Sequence, residues 1–281
     1  MRIAILGIGL IGGSLAAALR ARGVTATIAG CAPGGDAARA QEIGLVDEAF
    51  TDPVAAVRGA DWVVLAAPVP VMGSLMAQIA PALGSATRIT DCGSTKRSVV
   101  ESARAAFGSA FSRYVAGHPI AGSERSGPDA ANPDLFRGRR WVLCPVNHDQ
   151  RAHCAALRQF LEPTGAVISE MSPDAHDRLF AEVSHWPHAV AFALGAAIGR
   201  GALADSAIEF SGGGLRDTSR IAASSPELWA GILLDNADAV LESAARYRAE
   251  LDRIIGAIEA RGRPTLVESL EAASRWRRRL G

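Results

Sequence analysis

Five residues of buried-strand character, Arg2-Ile3-Ala4-Ile5-Leu6, run directly into Gly7-Ile8-Gly9-Leu10-Ile11-Gly12, and then into a helix-forming stretch at residues 15–19. That order demands a strand, a tight turn and a helix packed back against the strand. Gly7 permits the turn, and Gly9 lets the backbone approach an anion with no Cβ in the way. Gly12 lets the helix close on the strand. The free N–H groups at the helix start, around Leu10, Ile11 and Gly12, then point at a pyrophosphate. A glycine-rich turn alone is weak evidence. The apolar strand before it and the good helix formers after it supply the context that a dinucleotide site requires.

The 281 residues exceed the usual size of one domain. Short apolar runs at 3–6, 25–29, 62–66, 88–90, 114–116, 141–145 and 166–169 alternate with helical patterns such as 36–43 and 69–83. Alternation at this spacing predicts a mostly parallel, doubly wound sheet covered on both faces. Around Met171-Ser172-Pro173 the character changes to alanine- and leucine-rich helical periodicity, with long helices expected at 183–200, 226–260 and 264–278. The chain therefore reads as α/β: a Rossmann-type domain over 1–170 and an all-α domain over 171–281. The alanine-rich faces of the second suit close packing in a helical homodimer interface.

Lys and Arg total 29 against 29 Asp and Glu, so no charge footprint invites nucleic acid or a membrane surface. The run Arg275-Trp276-Arg277-Arg278-Arg279 is short and reads as a solvated helix end with cations favourably placed. Cys31, Cys92, Cys144 and Cys154 form no C-x-x-C pair, and a reduced, cytoplasmic protein is expected. No apolar run reaches the ~18 residues of a spanning helix.

Four further segments carry chemistry. Asp91-Cys92-Gly93-Ser94-Thr95-Lys96 follows a strand, at the sheet edge where ligands bind. Ser94 and Lys96 can face the nicotinamide end of a cofactor there; equally, Ser94 or Thr95 can cap the next helix. His118, in Gly117-His118-Pro119-Ile120-Ala121-Gly122-Ser123-Glu124, is expected just past a strand end on the same edge, a placement that favours an acid/base over a core histidine. Ser184-His185-Trp186-Pro187-His188 sets two histidines at i, i+3 on one helix face and suits a polar pocket wall. With His176 upstream a metal is conceivable, but no recognised motif completes a ligand set and none is expected. In Gly212-Gly213-Gly214-Leu215-Arg216-Asp217-Thr218-Ser219-Arg220, Arg216 and Arg220 can offer guanidinium forks to a carboxylate, or can pair with Asp217 at the surface.

In this order and spacing the five motifs resemble the prephenate/arogenate (cyclohexadienyl) dehydrogenase family of tyrosine biosynthesis, over nearly the whole chain. The resemblance implies a Rossmann domain followed by a helical dimerisation domain. It implies oxidative decarboxylation of a cyclohexadienol to 4-hydroxyphenylpyruvate or tyrosine, with hydride passing to NAD or NADP. His118 matches the catalytic histidine on the ring hydroxyl, and Ser94 the serine that orients that histidine and the substrate. Arg220 matches the arginine on a substrate carboxylate. His185, His188 and the adjoining Ser184 match the pocket, and Glu124 and Asp217 match acidic residues near its mouth. Activity is then expected to fall as pH drops through the His118 pKa, about 6.5 if unperturbed.

An NAD site usually carries an acid about 20 residues after the glycine motif. Here Ala29-Gly30-Cys31-Ala32-Pro33-Gly34-Gly35 offers none before Asp36, and Arg39 is the nearest downstream cation. That tips the reading toward NADP, with dual use open. The rival readings are another small-acid dehydrogenase of the β-hydroxyacid type and a dinucleotide sensor without catalysis.

Overall fold

The computed structural model describes residues 1–123 and 125–280. The opening motif folds as strand β1 (Arg2–Leu6) and helix α1 (Leu10–Ala21). The alternation continues through β2 (Thr27–Cys31), α2 (Asp36–Glu42), β3 (Glu48–Phe50), α3 (Pro53–Val57), β4 (Trp62–Leu65) and α4 (Val69–Ile79). It goes on through β5 (Arg88–Asp91), α5 (Arg97–Phe107), β6 (Tyr114–Pro119), β7 (Arg140–Cys144), α6 (Gln150–Leu161) and β8 (Val167–Glu170). These strands make one sheet in the order β3-β2-β1-β4-β5-β6-β7-β8. Its neighbours run parallel except at β6–β7.

Side-chain alternation divides the core between the two faces. Ala4 and Leu6 of β1 join Val63 and Leu65 of β4 beneath α4 and α5, where Met72, Met76, Val99 and Phe107 pack. Ile3 and Ile5 join Trp62 and Val64 on the opposite face, covered by Leu15 and Leu19 of α1 and Leu157 and Phe160 of α6. Both faces are covered, which is why these strands carry no polar alternation. From β1 the chain steps outward to β2 and β3 and then crosses back to β4, so the winding reverses beside β1. The crevice outside the carboxyl ends of β1 and β4 is where such sheets take ligands.

Two departures from the sequence reading matter for the site. β6 extends to Pro119 rather than ending at Ala116, so His118 lies within a strand. Its parallel pairing with β5 stops at Val115, yet antiparallel pairing with β7 continues through His118 opposite Val142. His118 thus stands where the sheet opens on one side only. The three-residue edge strand β3 also escapes a search for apolar runs, because it contains Glu48 and is only half-buried.

Beyond β8 the chain is helical: α7 (Pro173–Phe180), α8 (Trp186–Gly199), α9 (Ala204–Glu209), α10 (Gly213–Ser219), α11 (Pro226–Asp235), α12 (Ala237–Glu259) and α13 (Arg263–Arg277). The helix expected at 183–200 begins later, because Ala181–His185 forms a π-helical turn. Pro187, in the first turn of α8, has no N–H to return to the preceding turn, so the α-helical ladder cannot run through it. The helix expected at 226–260 is two helices, broken at Asn236, whose side chain is fully buried. The chain separates into two compact units, Met1–Asn236 and the segment from Ala237 onward; the change from strands to helices at Met171 falls inside the first. In the second unit α12 and α13 leave Leu241, Ile258, Leu270 and Trp276 exposed. No helix among the described residues is long and apolar enough to cross a membrane.

Candidate active site

The turn after β1 is built by what its glycines lack. Gly7 has φ +102°, and a Cβ there would lie 2.5 Å from the Ala66 carbonyl oxygen at the end of β4. A Cβ on Gly12 would lie 2.0 Å from the Gly7 carbonyl oxygen, whereas one on Gly9 meets nothing within 4 Å. Gly7 and Gly12 are therefore required by packing, and Gly9 keeps an open surface. Gly9 caps α1 without a side-chain acceptor, and the first turn contains no acidic residue. The N–H groups of Leu10, Ile11 and Gly12 precede the first intrahelical donor, Gly13, which bonds the Gly9 carbonyl at 2.8 Å. Open surface, free donors and the positive end of a twelve-residue helix fit a pyrophosphate.

Across the crevice, the segment after β5 is anchored by a buried ion pair. Lys96 and Asp91 are both fully buried, with Lys96 Nζ donating to Asp91 Oδ1 and, at 2.8 Å, to the Gly117 carbonyl. Asp91 also accepts from the Gly93 N–H (2.7 Å), the Tyr114 hydroxyl (2.6 Å) and the Gly117 N–H (3.2 Å). The bonds to Tyr114 and Gly117 join the segment bearing Ser94 to the strand bearing His118. Removing one partner of such a pair costs about 3–5 kcal/mol. Lys96 therefore does not face a cofactor, contrary to the sequence reading. Its long side chain turns inward because Asp91 is the nearest place to satisfy it.

A second network starts from His118. Its Nδ1 lies 2.8 Å from His176 Nε2, and His176 Nδ1 lies 2.8 Å from Asp177 Oδ1. Asp177 accepts in turn from the backbone N–H groups of Lys96 (2.7 Å) and Arg97 (2.9 Å), and from Arg97 Nε (3.2 Å). Neither Ser94 nor Thr95 caps α5; Asp177, from α7, takes that place. Asn236 extends the network, donating to the Asp177 carbonyl at 2.8 Å and lying 3.1 Å from His185 Nδ1. It also accepts from Arg97 Nη2 at 2.8 Å.

The histidines are held neutral. Burial, then the charges of His176, Lys96 and His185, push His118 well below the ordinary histidine value. Burial likewise lowers His176, against the pull of its bond to Asp177, and lowers His185 to about 4. Burial alone would raise Asp177, but bonds from His176 and the Arg97 and Lys96 N–H groups bring it below the usual carboxylate value. The chemistry available at His118 is therefore that of a neutral base, not of a standing cation.

The other expected residues gather around this centre to different degrees. Ser94 is half-buried, with its backbone close enough to the His185 ring to raise that histidine's pKa against burial; among the described residues no well-formed hydrogen bond reaches His185 Nε2. His185 and His188 do share a face, around Trp229: His188 stacks on it with ring centroids 3.4 Å apart, and His185 meets its edge at 6.3 Å. His188 Nδ1 donates to the Ser184 carbonyl at 2.8 Å. Arg220 is exposed just after α10, close enough for its charge to lower the His188 pKa alongside burial. Arg216 instead bonds the Ser211 carbonyl. Among the described residues neither arginine pairs with Asp217, which stays exposed and apart from this network. Glu124 lies outside the described residues. Asp177, Asn236, Arg97 and Trp229 were missed by the sequence reading, and His176 was considered only as a metal ligand. The available signal was the adjacent His176-Asp177 pair on a short helix directly after the last strand.

Comparison with known proteins gives the family. Residues 15–170 match the family model described as prephenate dehydrogenase, nucleotide-binding domain, and residues 172–272 match its dimerization domain. The chain belongs to the prephenate dehydrogenase family. It is 36% identical to the cyclohexadienyl dehydrogenase of Zymomonas mobilis over 280 residues, covering 98% of this chain and 94% of that one. The crystal structure of Aquifex aeolicus prephenate dehydrogenase with hydroxyphenyl propionate and NAD+ superimposes with a TM-score of 0.87 at 30% identity, covering 100% and 98% of the two chains. Synechocystis arogenate dehydrogenase gives 0.81 at 32% identity, with both chains covered in full. Membership of this family makes the protein an NAD(P)-dependent dehydrogenase built from a Rossmann-type domain and a helical one.

Proposed function

We propose that this protein catalyses the oxidative decarboxylation of prephenate, arogenate or both, giving 4-hydroxyphenylpyruvate and tyrosine respectively. The observation that carries the reading is a neutral histidine, His118, on the same sheet edge as a phosphate cradle. Gly7, Gly9, Leu10, Ile11 and Gly12 hold the dinucleotide, whose nicotinamide supplies the hydride acceptor when bound. His118 takes the proton of the ring hydroxyl, and Ser94 orients both partners. Arg220 binds a substrate carboxylate, and Ser184, His185 and His188 wall the pocket. The resemblance alone assigns Asp217 and Glu124 to its mouth. Departure of the ring carboxylate as carbon dioxide leaves an aromatic product. A positioned base of this kind contributes about 10²–10⁴-fold to rate.

For the cofactor we favour NADP, with NAD also used. β2 ends at Cys31, and the next acid in the chain is Asp36, already in α2, so β2 itself carries no carboxylate at its end to meet the ribose 2′ position; Asp52, whose charge reaches Cys31, comes from the loop after β3. Arg39 is the nearest cation but is engaged by Asp129 at 2.8 Å and Glu42 at 3.1 Å. The protein acts as a homodimer: Leu203, Ile208 and Phe210 are each more than 70% exposed in the helical part, an apolar surface suited to a second copy. Reduced-nicotinamide formation, measured for prephenate and arogenate with each of NAD and NADP, tests the proposal. Turnover is expected in at least one combination. Silence in all four, with cofactor binding demonstrated separately, overturns it.

A further inference from the structure

We propose that Asp177, acting through His176, fixes the tautomer of His118 so that Nε2 carries the lone pair that receives the substrate proton. The inference rests on the reading of His118 as the base and adds two positioning residues to it. The argument runs from the fixed end of the chain of bonds. Asp177 is a carboxylate whose oxygens already accept from two backbone N–H groups and an Arg97 N–H. A carboxylate only accepts, so the 2.8 Å contact requires His176 to donate from Nδ1. A neutral His176 then has only a lone pair at Nε2. Across the next 2.8 Å contact His118 must donate from Nδ1, which leaves Nε2 unprotonated. Any other assignment places two lone pairs or two protons face to face, or requires a cationic His176 in a site where burial opposes charge.

The same arrangement receives the proton. When His118 Nε2 takes the hydroxyl proton, the new imidazolium keeps its Nδ1–H bond to His176, and the Asp177 carboxylate lies one ring further on. Burial, His176, Lys96 and His185 all act against that charge on His118, while Asp177 and Asp91 favour charge on His176 against its burial. Phe180 packs against both rings, with centroids 5.1 Å from His118 and 4.4 Å from His176, and restrains their tilt. Asp177 thereby sets the base while anchoring the start of α5, next to Ser94.

Asp177→Asn tests this while preserving size and, at the Oδ2 position, the acceptor for Arg97; the Lys96 N–H, which shares Oδ1 with His176, gives up its acceptor. Its amide N–H can donate to His176 Nδ1, which reverses the chain and puts the proton on His118 Nε2. The expected result is a kcat lower by about 10²-fold or more, with substrate KM and cofactor affinity unchanged. His176→Phe keeps the ring volume and removes the relay, and is expected to lower kcat by roughly 10-fold on the same grounds. In ¹⁵N-histidine-labelled wild-type protein, the ring-nitrogen shifts should show His118 as the Nδ1–H tautomer, a signature that a merely structural role does not move. Wild-type kcat in Asp177→Asn, or an Nε2–H His118 in the wild type, overturns the proposal. If Asp177→Asn does not fold, His176→Phe and the wild-type spectrum decide. Loss of rate in His118→Asn without loss in Asp177→Asn removes only the tautomer inference, whereas a wild-type rate in His118→Asn removes the base itself.

Discussion

The β1–α1 turn and the histidine network place functional groups by opposite means. At the turn, six consecutive residues do the work with backbone N–H groups, and specificity comes from side chains that are absent: Gly7 and Gly12 admit no Cβ. Around His118, side chains separated by 58 residues (His118 to His176) and 139 residues (Arg97 to Asn236) meet through hydrogen bonds. The first region is locally encoded and tolerates little; the second exists only once the chain is folded, and each of its members depends on the others. A local device suits a ligand whose phosphates look alike in every dinucleotide. A device assembled at long range suits a reacting centre where protonation must be controlled.

Substitutions that damage one region and spare the other would sharpen this contrast. Gly12→Val, which forces a Cβ toward the Gly7 carbonyl, should weaken cofactor binding by more than about 100-fold, or about 2.7 kcal/mol; titration calorimetry giving a normal Kd would break the comparison. His118→Asn should lower kcat by about 10²–10⁴-fold while cofactor affinity stays at the wild-type value. Arg220→Gln should raise substrate KM roughly 10- to 150-fold through the lost charge-assisted hydrogen bond; an unchanged KM removes Arg220 from the pocket.

The pH dependence separates activity from stability. His118, His176, His185 and His188 are all lowered in the folded protein, so below about 6.5 the unfolded chain binds more protons than the native one. Stability is fully present above that pH and falls below it, by up to about 1.4 kcal/mol per pH unit for each group. For His185 the loss continues to about pH 4. Melting curves should show this onset while kcat, governed by the lowered His118, still holds. The lowered His118 replaces the expectation drawn from an unperturbed histidine; a kcat that halves at pH 6.5 in folded protein contradicts that lowering. The smallest effect is expected at the ribose end. Asp129→Ala releases Arg39 from its strongest partner and should improve NADP over NAD by roughly 10-fold or less, within the range of one surface charge contact; a shift toward NAD argues against a 2′-phosphate near Arg39.

What could be read in the sequence follows the same division. The turn, most strands and the helical character after Met171 depend on neighbours in the chain, and patterns of apolar residues and glycines report them. His118 and Ser94 were marked by position near strand ends and by resemblance. Asp177 was not, although its adjacency to His176 was a signal, and Asn236 was not, because nothing local distinguishes a buried Asn that bonds remote backbone from one at the surface. Lys96 was misplaced for a related reason: a lysine after a strand reads as ligand-facing until a partner such as Asp91 is known to lie beneath it. The break at Asn236 and the π-helical turn before Trp186 show the same limit, since the alanine- and leucine-rich pattern runs through both.

The Asp91–Lys96 pair also constrains how this lineage can change. Replacing both members of a buried ion pair with apolar residues is often nearly neutral, whereas replacing one is costly. Here even the double exchange is closed, because Asp91 also serves Gly93, Tyr114 and Gly117. Replacing either residue alone strands the other's buried charge, and replacing both leaves the Gly93 and Gly117 N–H groups and the Tyr114 hydroxyl without this acceptor. The loop after β5 and the strand β6 are therefore tied together by buried side chains that can be exchanged only along with their partners.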